Sequence, residues 1–341
     1  VAERTVENRL PRSGSRSKSP FFRPTLKPAT LLKLDCWASR VRSRAKRAQT
    51  VEIFIQLLLN GLLLGGTLAI ISIGLTLIFG IVRVVNFAHG EFLMMGLYAV
   101  YLMNAHFGIH PYVAIIPTTI ILFAAGAAMQ RFIIQPLLSA EGHIQIFATV
   151  GVSIALMNGA LLIFGADVMT VQNISLGTGA VSMGAFRVSS GQLITFAMSI
   201  ALVAGLHWFL QNTFLGRAVR ATAQHRNAAQ LMGVNVKKIY IFAFGLGCAC
   251  LGIASGLIAP QYPVFPTVGT FFVLTAFVIV VLGGLGSLSG ALVGSMLIGI
   301  VDSLAGYYIA PDLKEVVYFS IFLGILVFRP TGLFGAGRGS E

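Results

Sequence analysis

From Ile53 to Val82 the chain runs for 30 residues without one Asp, Glu, Lys or Arg. A helix on the surface of a soluble domain needs a polar stripe, so this run excludes one. It also exceeds the roughly 20 residues that span a bilayer. The excess predicts a first membrane helix that is tilted, broken at Gly65–Gly66, or both. The remainder has the same character: 56% of the 341 residues are hydrophobic and 10% charged, against about 25% charged in soluble domains. The chain reads as a polytopic membrane protein.

Further apolar runs follow at Phe92–Met103, from Pro111 to about Phe132, and at Ile144–Phe164, Leu193–Leu210, Ile239–Ile258, Phe271–Leu282, Ala291–Ile309 and Val316–Phe328. Pro111 suits a first helical turn, and Gln135-Pro136 is expected to end the third helix. Between 166 and 190, Val171, Ile174, Leu176, Val181, Met183, Phe186 and Val188 are scattered among Gly, Ser and Thr, which predicts a short hairpin outside the bilayer. The run after Phe271 meets Gly283-Gly284-Leu285-Gly286-Ser287-Leu288-Ser289-Gly290 and reads as a helix that stops inside the membrane, which needs burial or a hydrated cavity. The expected fold is an all-α membrane protein, a polytopic helical bundle of about eight transmembrane segments with broken helices.

Residues 1–50 hold 13 Lys/Arg and 3 acidic residues, most of the net charge of +13. With no apolar period they are expected to be a disordered basic tail, preceding a membrane domain at 51–335 and a short tail at 336–341. Organelle targeting and contact with anionic lipid are both compatible with such a leader. The reading favoured here is that translation starts later, near Val51 where the apolar sequence begins, so that this leader is not part of the mature protein. Placing residues 215–238 and the C-terminus in the cytoplasm leaves the basic leader outside after a single first helix, contrary to the positive-inside rule. Charge confined to one tail does not suggest a nucleic-acid partner. Cys36, Cys248 and Cys250 form no metal-ligand set, and two of them lie in an apolar helix where small thiols pack.

The main polar interruption is Leu215–Lys238, with five Lys/Arg and no acid. Alanines at 218, 221, 223, 228 and 229 favour a short helix between Gly216 and Gly233 that fits a pocket on another protein. A solvated loop that only sets topology is the plain alternative.

Chemistry is sparse. There is no phosphate-binding glycine loop, no zinc-protease helix and no hydrolase triad, so neither catalysis nor a bound cofactor or metal is expected. Ion-coupled carriers need acids within the bilayer. The candidates are Glu91, which also reads as a first-turn acid facing a helix dipole, and Asp302, which is able to snorkel or pair. Ala88-His89-Gly90 and Leu288-Ser289-Gly290 echo each other as small-residue turns leading into helices, as in transporters built from repeats. Gly286, Gly290 and Gly294, spaced by four, alternatively suit close helix packing. The chain reads as a pathway without an engine.

Gly74–Leu102 (GLTLIFGIVRVVNFAHGEFLMMGLYAVYL), Gly216–Pro260, Val281–Leu304 (VLGGLGSLSGALVGSMLIGIVDSL) and Phe328–Gly335 (FRPTGLFG), in that order, resemble the permease subunits of branched-chain amino acid ABC importers of the Liv-H type. The resemblance implies a second homologous permease, two cytoplasmic ATPase subunits, an external substrate-binding protein and an amino-acid substrate, with no nucleotide bound by this chain. It makes Gly216–Gly233 a cytoplasmic coupling helix, with Arg217, Arg220, Ala221, Ala228, Ala229 and Gly233 as candidate ATPase contacts. Asn86, His89, Glu91 and Ser289 are the candidate pathway residues. Related permeases for urea and short amides share most of these motifs, and a carrier or channel acting alone is the more distant alternative.

Overall fold

The computed structural model describes residues 28–171, 179–183, 186–329 and 332–334. By its contacts the chain divides into two units, Val1–Val51 and Glu52–Glu341. In the first, residues 28–50 are helical where the sequence reading expects no regular structure. Pro28 supplies a pre-set first helical residue, and the Leu, Ala, Lys and Arg that follow are good helix formers uninterrupted by Gly or Pro.

The second unit is a helical bundle. The part of α1 (Pro28–Val82) from Glu52 onward is followed by α2 (His89–Phe107), α3 (Pro111–Leu137) and α4 (Gly142–Phe164). Strands β1 (Ala180–Met183) and β2 (Phe186–Ser189) come next, then α5 (Ser190–Asn212), α6 (Phe214–Gln224), α7 (Arg226–Leu231) and α8 (Val236–Ile258). The bundle ends with α9 (Val268–Gly283), α10 (Leu288–Tyr308) and α11 (Lys314–Phe328). Among the described residues six helices, α1, α3, α4, α5, α8 and α10, are long and apolar enough to cross a membrane, and α9 is a shorter apolar helix.

α1 and α8 form the centre. Some 83% of the most apolar stretch of α1 is buried, against 11% for α4 at the periphery. Lipid tails are as apolar as leucine, so helices associate in a bilayer by close approach of small residues. α1 shows this twice. A Cβ on Gly65 would stand 2.7 Å from Met296 Cα of α10, and one on Gly247 of α8 would stand 2.8 Å from the Gly74 carbonyl oxygen. The expected break at Gly65–Gly66 is therefore absent: α1 is continuous there, and its glycines seat α10 and α5 rather than interrupting the helix. Cys248 packs against Gly126 of α3.

One other boundary differs from expectation. The third helix runs past Phe132 to Leu137 through a wider π turn at Gln130–Ile134. That turn precedes Pro136, whose ring would otherwise meet the Phe132 carbonyl. The stop after α9 is as the sequence suggests: Gly284 and Gly286 take φ of 100° and 87°, and Ser287 caps α10 by accepting from Gly290 N–H at 3.1 Å. Gly290 and Gly294 face α9, whereas Gly286 touches Gly80 at the end of α1. The chain returns to close the end of α9: Leu333 N–H donates to the Leu282 carbonyl at 2.8 Å and Phe334 N–H to Gly283 at 3.2 Å. These bonds occupy carbonyls that every helix end leaves without a partner.

β1 and β2 pair antiparallel from Ala180↔Ser189 to Met183↔Phe186, the expected hairpin; Ile174 and Leu176 lie outside the described residues. Gln56 of α1 clamps it, donating to the Arg187 carbonyl at 2.7 Å and accepting from Arg187 N–H at 3.1 Å.

The glycine crossings yield a prediction. Gly247→Val forces a side chain into the α1 backbone and should cost about 1–3 kcal/mol. Gly151→Ala on α4, which meets nothing within 4 Å, should leave stability unchanged. Thermal unfolding in detergent, followed by size exclusion, checks the pair.

Candidate functional site

The polar interruption folds as a hinge of two helices instead of one. Thr213 caps α6, its Oγ1 accepting from Gly216 N–H at 3.0 Å. Gly216 lets α6 fold tightly back on α5, because a Cβ there would lie 2.6 Å from Leu210 Cα. Gly216, Val219 and Thr222 face inward, while Arg217, Ala221 and Gln224 face out. His225 (φ −139°, ψ 93°) breaks the helix, and α7 follows. α7 ends at Gly233, φ 83°, with Val234 N–H donating to the Ala229 carbonyl at 3.0 Å. That closure needs a left-handed residue, which glycine adopts without penalty. Asn235 then caps α8, accepting from Lys238 N–H at 3.2 Å.

Of the residues singled out from sequence, Arg217, Ala221, Ala228 and Gly233 are exposed. Arg220 is half-buried and donates to Gln211 Oε1 at 2.6 Å, so it ties α6 to α5. Ala229 is 5% exposed and packs inward, which removes it from any outer contact set. Sequence reasoning missed the apolar residues here: Leu231 is 88% exposed, Met232 85% and Phe214 77%. The signal was present, since Leu231 stands three residues after Ala228 on the same helix face.

Arg83 was missed as well. Among the described residues it is the one non-glycine with positive φ, 60°, and its Nη2 donates to the Ala223 carbonyl of α6 at 3.3 Å. A bulky residue in the left-handed region is strained. Here the conformation turns the chain sharply off α1 while the guanidinium holds the C-terminal end of α6. Arg83 and Arg226 share the wall of a cavity of about 340 Å³ with Gln145, Thr222 and Tyr240.

The stretch just after Arg83 carries the other candidates. Residues 83–86 are outside any helix or strand, with the backbone held by Thr149 of α4. Phe87 N–H donates to Thr149 Oγ1 at 3.3 Å, and that hydroxyl lies 3.3 Å from the Val85 carbonyl. Asn86 folds on itself, its Oδ1 accepting from Ala88 N–H at 3.1 Å. His89 Nε2 lies 3.0 Å from the Ile71 carbonyl of α1. A carbonyl only accepts, so Nε2 carries the hydrogen. Glu91 Oε1 accepts from Ser153 Oγ of α4 at 3.2 Å.

Asn86, His89 and Glu91 are all buried, each retaining one polar atom without a protein partner: Asn86 Nδ2, His89 Nδ1 and Glu91 Oε2. The first turns of α2 and α9 cross at Gly90 and Gly269, where a Cβ on Gly269 would lie 2.7 Å from Glu91 Oε2. The carboxylate thus stands against two helix N-termini, the favourable place for negative charge. Ser289 does not join this group; it is exposed at the start of α10, its Oγ 3.4 Å from that of Ser287. The stretch thus gathers three buried hydrogen-bonding side chains with spare capacity inside an otherwise apolar bundle.

Residues 57–326 match the family model described as branched-chain amino acid transport system / permease component. The chain is 32% identical over 294 residues to the high-affinity branched-chain amino acid transport system permease protein BraD of Pseudomonas aeruginosa, covering 83% of this chain and 96% of that protein. It is 30% identical to the corresponding permease protein LivH of Escherichia coli, with the same coverage. A probable branched-chain amino acid transport permease protein LivH of Methanocaldococcus jannaschii is 28% identical over 79% of this chain and 88% of its own length. No solved structure matches.

Thr149 is the test of how the broken stretch is held. Thr149→Val keeps the shape but leaves the Phe87 N–H unpaired, and should lower stability by about 1–3 kcal/mol. Thr149→Ser should restore it. Thermal unfolding in nanodiscs measures both.

Proposed function

This chain belongs to the family of permease components of branched-chain amino acid transport systems, and we propose on that premise that it is the multi-pass inner-membrane subunit of an ATP-driven importer. Its substrates are leucine, isoleucine and valine. It works with a homologous second permease, two cytoplasmic ATPase subunits and an external substrate-binding protein. The α6–α7 hinge lies in the cytoplasm and docks on an ATPase.

The observation that carries this reading is the linkage of hinge to buried polar stretch. Arg83 holds the Ala223 carbonyl with its side chain, and three residues further on is Asn86, the first of the buried polar group. A displacement of α6 by the ATPase therefore pulls directly on the segment that carries Asn86, His89 and Glu91. Those residues line the path and exchange hydrogen bonds with the passing ammonium and carboxylate. Leu231, Met232 and Phe214 supply the apolar anchor, with Arg217 and Ala228 beside them. Interfaces place large apolar side chains in the partner's pockets as energetic centres. Gly233 contributes the turn that presents them, and Arg220 acts by fixing α6.

The experiment is uptake of labelled leucine into liposomes holding the permease pair and ATPases, with ATP inside and binding protein outside. Leu231→Glu should weaken ATPase retention on size exclusion and lower uptake at least about tenfold, equivalent to about 1.4 kcal/mol. Urea or acetamide uptake in place of leucine would move the substrate class, and uptake without ATP would replace the importer by a carrier.

A further inference from the structure

Asp302, the second acid that the sequence singles out within the apolar helices, is paired. Its Oδ1 and Oδ2 lie 3.3 and 3.4 Å from Lys314 Nζ at the start of α11. The ammonium also sits 5.7 Å from the centre of the Phe271 ring. The pair forms one wall of a cavity of about 80 Å³ whose apolar side is Leu64 and Leu68 of α1, Phe272 of α9 and Ile298 of α10. Tyr262 and Tyr318 close it, the Tyr318 hydroxyl lying 3.2 Å from Thr275 Oγ1. This place is at the end of the bundle away from the hinge. α10 begins beside Gly80 near the end of α1, and Asp302 stands about 21 Å further along it.

We propose that this pocket is an entry site for a zwitterionic aliphatic amino acid, with Asp302 receiving the ammonium, Lys314 the carboxylate, and the leucine- and isoleucine-lined wall the side chain. The inference rests on the importer reading and deepens it by locating where substrate first meets the permease. Three physical points support it. The two protein charges stand as close as the two charges of an α-amino acid, so inserting one between them exchanges one ion pair for two. Both charges are paired before substrate enters and again once it is bound, which avoids a resting state with an uncompensated ion. A simple cation would leave Lys314 alone and a simple anion would leave Asp302 alone, so the pocket rejects both. The cavity with its ion pair closed is far smaller than the roughly 300 Å³ and above of typical ligand pockets. Admission therefore requires Lys314 to swing aside, which its long flexible stem permits. α9 carries the consequence inward, since Phe271, Phe272 and Thr275 line the pocket while Gly269 in its first turn meets Glu91.

The plain rival is an ion pair that only staples α10 to α11. Binding of radiolabelled leucine to the assembled complex in nanodiscs, without binding protein, separates the two. Asp302→Asn and Lys314→Gln should each weaken leucine binding at least about tenfold, as loss of one charge-assisted contact implies. Leucinamide and N-acetylleucine, each lacking one charge, should compete about tenfold less well than leucine. The exchange Asp302→Lys with Lys314→Asp rebuilds the staple, so thermal stability should return while leucine binding does not. Binding that returns with the exchange, or that is untouched in the single variants, overturns the proposal. A complex that imports leucine yet binds none without its binding protein also overturns it and leaves the importer reading intact. A complex that imports no branched-chain amino acid with all partners present overturns the importer reading, and the ligand assigned here with it.

Discussion

Backbone polar groups inside a bilayer have no water to bond, so any break in a helix must be supplied with partners by the protein itself. Among the described residues of the second unit two such breaks stand out, and many of its distinctive features are their solutions. After α1 the non-helical segment is held by the Thr149 hydroxyl and by the side chain of Asn86 acting on Ala88. After α9 the open carbonyls of Leu282 and Gly283 are taken by Leu333 and Phe334, which come back from beyond α11. Each break therefore ties distant parts of the chain together.

The same constraint explains where function sits. A continuous helix presents only side chains to its surroundings, whereas a break exposes polar groups that a solute can use. At the first break, three buried side chains each keep a polar atom without a protein partner. The crossing of Gly90 and Gly269 brings two helix N-termini against Glu91. That carboxylate answers the helix dipoles, and in the proposed importer it is also the acid placed on the path. Rigid glycine contacts along α1 make the surrounding frame stiff, so that a pull at Arg83 is delivered to the break.

Much of this was legible in the sequence because hydropathy reports the solvent directly. Charge-free runs located the helices, and the glycine-rich run from Gly283 announced the second break, where Gly284 and Gly286 take positive φ. The basic hinge stood out against its apolar surroundings. What escaped was decided by contacts between distant residues. Gly65–Gly66 reads locally as a weak point, yet opposite α10 and α5 it is a packing surface. Ala229 and Ala228 are the same residue type, and only the rotation of α7 turns one in and the other out. Leu231 and Met232 read as ordinary apolar residues until their exposure is seen. Arg83 reads as a flanking charge, and nothing local foretells its left-handed backbone or its bond to Ala223. Asp302 and Lys314 find each other only because α10 and α11 turn back on one another.

The central claim is that movement of the α6–α7 hinge is transmitted through Arg83 to the buried stretch at Asn86. An Asn86→Cys substitution in a Cys36→Ser background, in the importer complex reconstituted with its ATPases, reports this by reaction with a membrane-impermeant thiol reagent; Cys248 and Cys250 are buried and serve as the background. The rate of modification should rise at least about tenfold during ATP turnover and stay at its resting value when Arg83→Ala is added, a change of about 1.4 kcal/mol in accessibility. Equal modification with and without ATP, or an undiminished response in Arg83→Ala, would contradict the account.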